Sequence, residues 1–262
     1  MKKTKAPRFE AFPEPVLDII KDADIYDSSC SSEARVYFAD KDDGLFVKEA
    51  EEGTLRREAS MTCFFHSLGL SAEVLYYDSS RGKDYMITRR LPGEDCTYEI
   101  YLGNPKRLCD SWAKLLRSLH ETDASECPIQ SRMETYRKSV EAGLSERNYE
   151  PDLFKGIWEF ASFDEAAYVA KEGLVELKSE VLLHGDYCLP NVILDNWRLS
   201  GYIDLGNGGI GDRHIDILWG IWTLKYNLGT ALYTDRFMDA YGRDAIDEEK
   251  LRAIAAMEMV GV

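Results

Sequence analysis

The sequence His184-Gly185-Asp186, followed by Asn191 and then by Ile203-Asp204-Leu205-Gly206, decides the fold class of this chain. Phosphoryl transfer from a nucleotide needs these residue types, because one carboxylate orients the attacking hydroxyl while an Asn and a second Asp hold Mg²⁺ on the phosphates. Each of them alone is compatible with a turn cap, a common role for Asp and Asn. Their combination favours a catalytic loop followed by a metal-binding loop.

Short apolar segments flank these polar residues. Val181-Leu182-Leu183 precedes the His-Gly-Asp sequence, Val192-Ile193-Leu194 follows Asn191, and Leu199–Ile203 delivers Asp204 at the end of a strand. Pro190 restricts the preceding residue to an extended conformation and prevents the segment from becoming a helix. The pattern predicts a tight loop between short strands.

Size and charge limit the possible functions. The chain has 262 residues, enough for one large domain or two lobes, and its 45% hydrophobic content with five Trp indicates a globular protein. The formal net charge of −15 argues against a nucleic-acid partner, because a phosphate backbone requires a basic surface. It is compatible with a cationic ligand attracted by an acidic cleft, or with a role in solubility alone.

Cysteine usage and hydropathy predict the compartment. The six cysteines show no CxxC or other metal-like spacing, so they are interpreted as reduced thiols of a cytosolic protein. The basic start of the chain leads to no apolar stretch long enough for a signal peptide, and no window approaches a membrane span. We therefore expect a soluble, cytoplasmic protein without a membrane partner.

The remaining chain divides into a β-rich first part and a helical second part. Strands are predicted at 34–39, 44–48, 73–77 and 84–90, a helix from Thr54 to Gly69, and a break at Leu91-Pro92-Gly93. We predict an α+β, bilobal protein-kinase-like fold. Residues 1–91 would form a small antiparallel β-rich lobe that clamps a nucleotide. Residues 92–262 would form a larger, mainly helical lobe with the catalytic loop, metal site and acceptor pocket.

Two charged residues of the small lobe are candidates for a nucleotide clamp. Lys48 closes the strand Leu45-Phe46-Val47, and Glu58 lies in the following helix. A Lys on that strand can neutralise the charge of the α- and β-phosphates, and a helix Glu can hold its ammonium in place. Both are also common surface residues, and the acids of Glu49–Glu52 compete with Glu58. Asp27–Ser32 stands where a glycine-rich phosphate loop is expected, so serine hydroxyls and backbone amides would have to bind phosphate there.

The motifs together resemble those of the aminoglycoside phosphotransferases, in particular the 3′-phosphotransferase branch of that protein-kinase-like family. The resemblance spans nearly the whole chain and is most specific between residues 182 and 217. It is carried by Leu183–Asp186, Asn191, Ser200–Gly206, Gly211–Arg213 and Asp216-Ile217, and in the small lobe by Ala34–Tyr37, Val47-Lys48, Arg57-Glu58 and Leu91–Gly93.

The resemblance implies a role for each of these sites. Asp186 would be the catalytic base or hydroxyl-orienting group, and Asn191 and Asp204 would bind Mg²⁺. Lys48, held by Glu58, would contact the α- and β-phosphates of ATP or GTP. The nucleotide would also meet Ser32 in the nucleotide-positioning loop and the backbone of Arg90 and Leu91 at the adenine. Asp212 and Asp216 resemble the family's structural aspartates.

The resemblance also implies an acceptor. The activity expected is transfer of the γ-phosphate to an aminoglycoside hydroxyl, with the 3′ position favoured, which confers antibiotic resistance; we expect a monomer or weak dimer. Glu159 and Glu258 occupy plausible positions for binding the ammonium groups of such an acceptor, although a solvated acid on a helix is equally compatible with each. Asn207 departs from the family, since relatives often have Arg after Asp-Leu-Gly.

Two other functions remain open from the sequence. A metabolic kinase of the same fold would act on choline, homoserine or a sugar-like substrate, and Trp219 with Trp222 could form an aromatic cage for a quaternary amine. At helical spacing after Asp216, these two residues are more typical of core packing. A non-catalytic, nucleotide-binding pseudokinase is the second alternative, and the presence of every catalytic residue argues against it.

Overall fold

The computed structural model describes residues 4–5, 12–30 and 34–261. These residues group into two compact units, one formed by Met1–Gly93 with Ser200–Gly206 and the other by Glu94–Leu199 with Asn207–Val262. The division expected from the sequence, 1–91 and 92–262, assigned one continuous segment to each lobe. In the structure the segment that carries Asp204 joins the first unit, where the Tyr202 amide donates to the Leu70 carbonyl at 2.8 Å.

The described part of the first unit is a six-stranded antiparallel sheet with two helices. The sheet has the order β1-β2-β3-β4-β6-β5, and the chain enters a helix between β1 and β2 and again between β4 and β5. The elements are β1 (Thr4–Lys5), α1 (Glu14–Ile19), β2 (Asp24–Asp27), β3 (Arg35–Asp40), β4 (Leu45–Glu51), α2 (Arg56–Ser67), β5 (Val74–Ser80) and β6 (Lys83–Arg89).

The turn between β3 and β4 depends on residues that tolerate left-handed backbone. Asp42, Asp43 and Gly44 all have positive φ, and the Gly44 amide donates to the Lys41 carbonyl at 2.8 Å. The turn therefore closes the antiparallel hairpin of β3 and β4, and β4 starts immediately after it.

Strand β4 places Lys48 on the face of the sheet opposite a buried core. Leu45 and Val47 are buried in the cluster that includes Ile87 of β6. Side chains alternate along a strand, so Lys48 points to the other face. The burial of one face thus determines on which side of the sheet the ammonium lies.

The second unit is mainly helical and contains short strands around the catalytic-loop sequence. Strand β8 pairs with β11, and β9 pairs with β7, each antiparallel. The elements are β7 (Glu94–Asp95), α3 (Glu99–Leu102), α4 (Pro105–His120), α5 (Arg132–Glu146), α6 (Phe163–Leu174), β8 (Val181–Leu183), β9 (Val192–Asp195), the start of β10 (Arg198–Tyr202), β11 (Gly209–Gly211), α7 (Arg213–Leu228), α8 (Thr234–Tyr241) and α9 (Glu248–Gly261). From Ser200 onward, β10 belongs to the first unit.

The core of the second unit forms where α4 and α7 meet. Trp112 of α4 is 1% exposed, donates from its indole nitrogen to the Gly220 carbonyl at 3.1 Å, and stacks on Tyr187 of the catalytic loop. Tyr187 in turn donates to the Trp112 carbonyl at 2.9 Å. The residue that follows Asp186 is thus fixed in the core. Within the described ranges, no helix has the combination of length and low polarity that crossing a membrane requires.

Candidate active site

The first unit brings together three of the residues that the sequence indicates. Lys48 on β4 lies 2.5 Å from the Glu58 Oε1 atom in the first turn of α2, and its ammonium also contacts the Asp204 carboxylate. The strand, the helix and the segment after β10 each contribute one charged group. The ammonium is thereby held between two carboxylates.

Burial and charge act against each other in this group. Burial lowers the pKa of Lys48, but the Asp204 and Glu58 carboxylates outweigh it and the net shift is upward. Burial raises the pKa of Glu58 by more than the adjacent ammonium lowers it. Since Lys48 faces two acids, it stays protonated and remains a fixed positive charge on β4.

The Asp204 carboxylate is the most accessible of the three groups. Its backbone is left-handed, with φ of 58°, and its side chain is 47% exposed. The preceding Tyr202 is fixed by Ser71, whose hydroxyl donates to the Tyr202 carbonyl at 2.7 Å. An anchored backbone thus presents an exposed carboxylate, which suits a hard cation such as Mg²⁺.

The residues expected at the adenine follow β6. The Arg90 amide donates to the Gly44 carbonyl at 2.9 Å, so this donor is already in use. The Leu91 amide and carbonyl form no hydrogen bond with any residue that the structure describes. Leu91 therefore has the backbone donor and acceptor that a purine edge can pair with. Ser32, the other residue expected to bind nucleotide, lies outside the described residues.

In the second unit, Asn191 orients the Asp186 carboxylate. The Asn191 amide nitrogen donates to the Asp186 carbonyl at 3.0 Å and to its Oδ2 atom at 2.9 Å. Leu189–Asn191 forms a short 3₁₀ turn, so the extended conformation expected for Leu189 is wrong. Pro190 fits here because it lies in the first turn of a helix, where its missing N–H is not needed. The turn brings the Asp186 and Asn191 side chains together. With its nitrogen used in this way, Asn191 retains its carboxamide oxygen as a ligand for a cation.

The backbone that precedes Asp186 is held by Asp216 of α7. Its carboxylate is fully buried and accepts hydrogen bonds from the His184 amide at 2.7 Å and the Gly185 amide at 2.8 Å. His120 lies 3.3 Å from the same carboxylate, and burial lowers the pKa of this imidazole. The structure thus supports the structural role expected for Asp216.

Gly185 is required at its position for two reasons. Its φ is 84°, and a Cβ atom there would lie 1.9 Å from the Asn207 carbonyl oxygen. The catalytic loop and the segment after Asp-Leu-Gly therefore touch through their backbones. A side chain at residue 185 would push Asp186 out of place.

Asp212 caps the start of α7. It is fully buried and accepts from the His214 amide at 3.1 Å, the Lys178 amide at 3.0 Å and the Lys250 ammonium at 3.2 Å. Burial raises the pKa of Asp212, but the His214 ring and the Lys178 and His214 amides outweigh it, so the pKa is strongly lowered. Asp212 thus connects the start of α7 with the segment before β8 and with α9.

Glu258 of α9 lies in a polar cluster inside the second unit. It is half-buried and accepts a hydrogen bond from the Tyr136 hydroxyl at 2.8 Å. Burial raises its pKa, hydrogen bonds from Tyr136 and Trp219 and the charge of Arg132 oppose that shift, and the charge of Asp186 adds to it. Glu258 is thus held by the Tyr136 hydroxyl in the interior of the second unit.

Glu159 has a different environment. It is exposed, and its carboxylate accepts a hydrogen bond from the Gly156 amide at 2.9 Å, three residues earlier. Within the described part of the chain, it forms no hydrogen bond or ion pair with another expected site residue. The structure thus places Glu159 in a local turn.

The two tryptophans considered for a quaternary-amine cage pack on each other. The rings of Trp219 and Trp222 are 5.3 Å apart at 80°, and Trp222 also stacks on Tyr226. The Trp222 indole donates to the Leu153 carbonyl at 2.7 Å. Both rings are half-buried and packed edge to face, an arrangement that supports packing and not a shared cage.

The ion pair on the sheet and the oriented Asp186 define a class of protein, the kinase-like phosphotransferases. Residues 30–254 match the family described as "Phosphotransferase enzyme family", and the chain belongs to that family. Over 252 residues, 96% of each chain, it is 46% identical to a protein of Lactococcus lactis subsp. lactis described as a probable aminoglycoside 3′-phosphotransferase.

Two solved structures share the fold. An aminoglycoside-3′-phosphotransferase of type VIII superposes with a TM-score of 0.73 at 22% identity, covering 91% of this chain and 93% of that one. An aminoglycoside phosphotransferase from Streptomyces rimosus, in complex with ADP and streptomycin, gives 0.71 at 18% identity, with 87% and 90% covered. The predicted α+β kinase-like fold and the predicted phosphotransferase with a hydroxyl acceptor are confirmed.

Proposed function

We propose that this chain transfers the γ-phosphate of ATP to the 3′ hydroxyl of an aminoglycoside. The observation that carries the proposal is the Asp186 carboxylate, oriented by Asn191 on a loop that Asp216 anchors. The extensive identity to the Lactococcus lactis relative, whose description names this activity, supports the choice of acceptor. GTP as donor remains compatible with the same site.

The acceptor hydroxyl would be activated by Asp186. Asn191 engages one oxygen of this carboxylate, which leaves the other free to accept a hydrogen bond from the hydroxyl. The carboxylate orients the hydroxyl for attack on the γ-phosphorus and accepts its proton as the new P–O bond forms. In the same step the bond between the γ-phosphorus and the β–γ bridging oxygen breaks, and ADP leaves with the bridging oxygen. Little movement is needed, because the preceding amides are already fixed by Asp216.

The nucleotide would be held by charge and by backbone. Lys48, supported by Glu58, neutralises the α- and β-phosphates, and the backbone of Leu91 pairs with the adenine. Mg²⁺ would take the Asp204 carboxylate and the Asn191 carboxamide oxygen as ligands and would offset phosphate charge. The ADP bound to the Streptomyces rimosus relative supports a nucleotide ligand.

The acceptor's ammonium groups would be bound by acids, and Glu258 is the stronger candidate of the two. Its carboxylate is half-buried and already oriented by the Tyr136 hydroxyl, whereas Glu159 is exposed. Charge-assisted hydrogen bonds to a partly buried carboxylate contribute more than those at the surface. The net charge of −15 would attract a polycation from solution. We further propose that the protein acts in the cytoplasm as a monomer or weak dimer.

A phosphorylation assay on a panel of acceptors tests the proposal. The purified protein is incubated with ATP or GTP, Mg²⁺ and one acceptor from a set of aminoglycosides with and without a 3′ hydroxyl, choline, homoserine and simple sugars. We expect 3′-hydroxyl aminoglycosides to react fastest and their 3′-deoxy analogues not to react at that position. Faster phosphorylation of a neutral or singly charged metabolite would replace this function with that of a metabolic kinase.

A further inference from the structure

A buried cation lies directly beside the catalytic loop of the second unit. Arg132, the first residue of α5, is 9% exposed, and its Nε atom donates to the Asn207 carbonyl at 2.8 Å. Its guanidinium carbon lies 5.3 Å from the centre of the Tyr136 ring. Sequence reasoning gave this residue no role, because nothing in its local pattern distinguishes it from an ordinary helix Arg.

The charge of Arg132 is not matched by an ion pair. Among the residues that the structure describes, no carboxylate forms a salt bridge with it, and its terminal nitrogens form no hydrogen bond. Burial lowers the pKa of this guanidinium, and the Tyr136 phenol and the carboxylates of Glu258 and Asp216 offset part of that shift. The protein contacts that hold the Arg132 guanidinium are therefore the Asn207 carbonyl and the face of the Tyr136 ring.

The bond to Asn207 has a geometric consequence for the catalytic loop. The carbonyl that accepts from Arg132 is the one against which Gly185 packs so closely that no Cβ fits between them. Asp186 follows Gly185, and Asn207 is three residues after Asp204 in the sequence. The Arg132 guanidinium thus fixes the Asn207 carbonyl, which packs against Gly185 directly before Asp186.

We propose that Arg132 is a positioning residue for phosphoryl transfer, which holds the Asn207 carbonyl against Gly185 and so keeps Asp186 aligned. The role rests on the proposed function, since the alignment matters for an acceptor hydroxyl at Asp186. The guanidinium also lies over the ring of Tyr136, whose hydroxyl donates to Glu258, so the cation is close to the carboxylate expected to bind an acceptor ammonium and opposes that binding. Arg132 therefore favours turnover at some expense of acceptor binding.

The test compares Arg132→Met and Arg132→Lys with the control Arg137→Met. Arg137 is on the same helix and also donates to backbone carbonyls, of Leu174 at 3.3 Å and of Leu177 at 3.0 Å. The partners of Arg137 lie away from the catalytic loop. Arg137→Met therefore measures the effect of removing a guanidinium from α5 without disturbing that loop. Steady-state kinetics, melting temperature and amide hydrogen exchange are measured on each full-length variant.

We expect Arg132→Met to lower kcat by about tenfold to a hundredfold, the size of effect that a small misplacement of a reacting group produces. The KM for the aminoglycoside should stay equal or fall, because a cation beside Glu258 has been removed. Arg132→Lys retains charge and a donor, so part of the lost kcat should return. Arg137→Met should keep kcat within about twofold.

Three results would overturn the proposal. One is that Arg132→Met keeps kcat within about twofold of the parent protein. Another is that Arg137→Met loses as much turnover as Arg132→Met. The third is that Arg132→Met raises acceptor KM while hydrogen exchange accelerates throughout the second unit, since that pattern marks general loosening of the fold.

Hydrogen exchange separates a failure of this proposal from a failure of the proposed function. If the parent protein phosphorylates no aminoglycoside, the acceptor assignment fails, yet the local claim remains measurable. Arg132→Met should then accelerate exchange in peptides covering 184–187 and 207–211 and leave α6 and α8 unchanged. Unchanged exchange in both loop peptides would overturn the positioning role whatever the substrate.

Discussion

The loop of Asp186 and the loop of Asp204 carry the same functional group on different supports. Around Asp186, the fully buried Asp216 carboxylate holds two backbone amides, the Asn191 side chain holds the Asp186 carboxylate, and Gly185 permits close backbone contact. Asp204 has an anchored backbone but a half-exposed side chain, which contacts the ammonium of Lys48. We infer that the catalytic group is fixed before substrate arrives, whereas the metal ligand is left free to exchange partners.

The difference follows from what each carboxylate must do. A general base contributes most when its geometry is set in advance, because reorganisation during the reaction adds to the barrier. A metal ligand must release one partner and accept another in every cycle, and an exposed carboxylate does this at small cost. The predictions that follow test the contrast between these two loops.

The largest effect is expected from Asp186→Asn. An amide cannot accept the proton of the hydroxyl, so kcat should fall by about a hundredfold to ten-thousandfold. The amide can still accept a bond from Asn191 through its oxygen, so the loop should keep its conformation. Steady-state kinetics measures the loss of kcat, and calorimetry of nucleotide binding checks that the variant still binds nucleotide as the parent does. A variant that keeps more than about a tenth of the original kcat would remove Asp186 from this role.

The second prediction contrasts buried Asp212 with exposed Asp204 by the same change to Asn. The folded-state pKa of Asp212 is depressed, so its stabilisation is present above its unfolded pKa of roughly 4 and is lost as pH falls below that value. Asp212→Asn should cost roughly 3 kcal/mol at neutral pH, because it breaks a buried charged network. Asp204→Asn should change stability by under about 0.5 kcal/mol.

Urea unfolding at pH 7 and at pH 3 to 4 measures this contrast. The difference in unfolding free energy between the parent protein and Asp212→Asn should be smaller at the lower pH. There the Asp212 carboxylate of the unfolded parent becomes protonated, which favours the unfolded state and removes part of the stabilisation. A gap that stays constant over this range would show that the carboxylate charge of Asp212 does not stabilise the fold.

The sequence predicted the contact between Lys48 and Glu58 in the first unit but not the contacts of Glu258 and Asp216 in the second. The number of residues between the partners explains the difference. Lys48 and Glu58 belong to consecutive elements in a recognisable order of strands and helix, and the structure brings them into contact. The Tyr136 hydroxyl reaches Glu258 across 122 positions, and His120 reaches Asp216 across 96. No periodicity or local motif encodes such contacts, because they arise only when α4, α5, α7 and α9 pack.

The third prediction compares the two expected metal ligands. Asp204→Ala should weaken Mg²⁺-dependent nucleotide binding by about tenfold or more, and Asn191→Ala by less, since a carboxylate offers charge as well as oxygen. Asn191→Ala should instead lower kcat, because it frees the Asp186 carboxylate. Calorimetry with a non-hydrolysable nucleotide, with and without Mg²⁺, separates the two. Metal-independent binding of equal strength in both variants would contradict the assignment.

The smallest effect is expected at the acceptor, where the contrast between anchored and exposed carboxylates recurs in Glu258 and Glu159. Glu258→Gln should raise the aminoglycoside KM by about tenfold with little change in kcat, because its contact lies away from the reacting hydroxyl and binds ground and transition states alike. Glu159→Gln, the matched control on the surface, should change KM by less than about twofold. Both variants should bind nucleotide as the parent does.

Salt dependence refines this last comparison. The Debye length falls from about 30 Å at 0.01 M salt to about 3 Å at 1 M, so long-range attraction of a polycation by the net charge of −15 should be lost over this range in every variant. A half-buried contact is screened much less. The ratio of kcat/KM between the parent and Glu258→Gln should therefore persist at high salt, while any difference caused by Glu159→Gln should vanish. If both ratios collapse together, Glu258 acts only through the overall field and does not contact the acceptor.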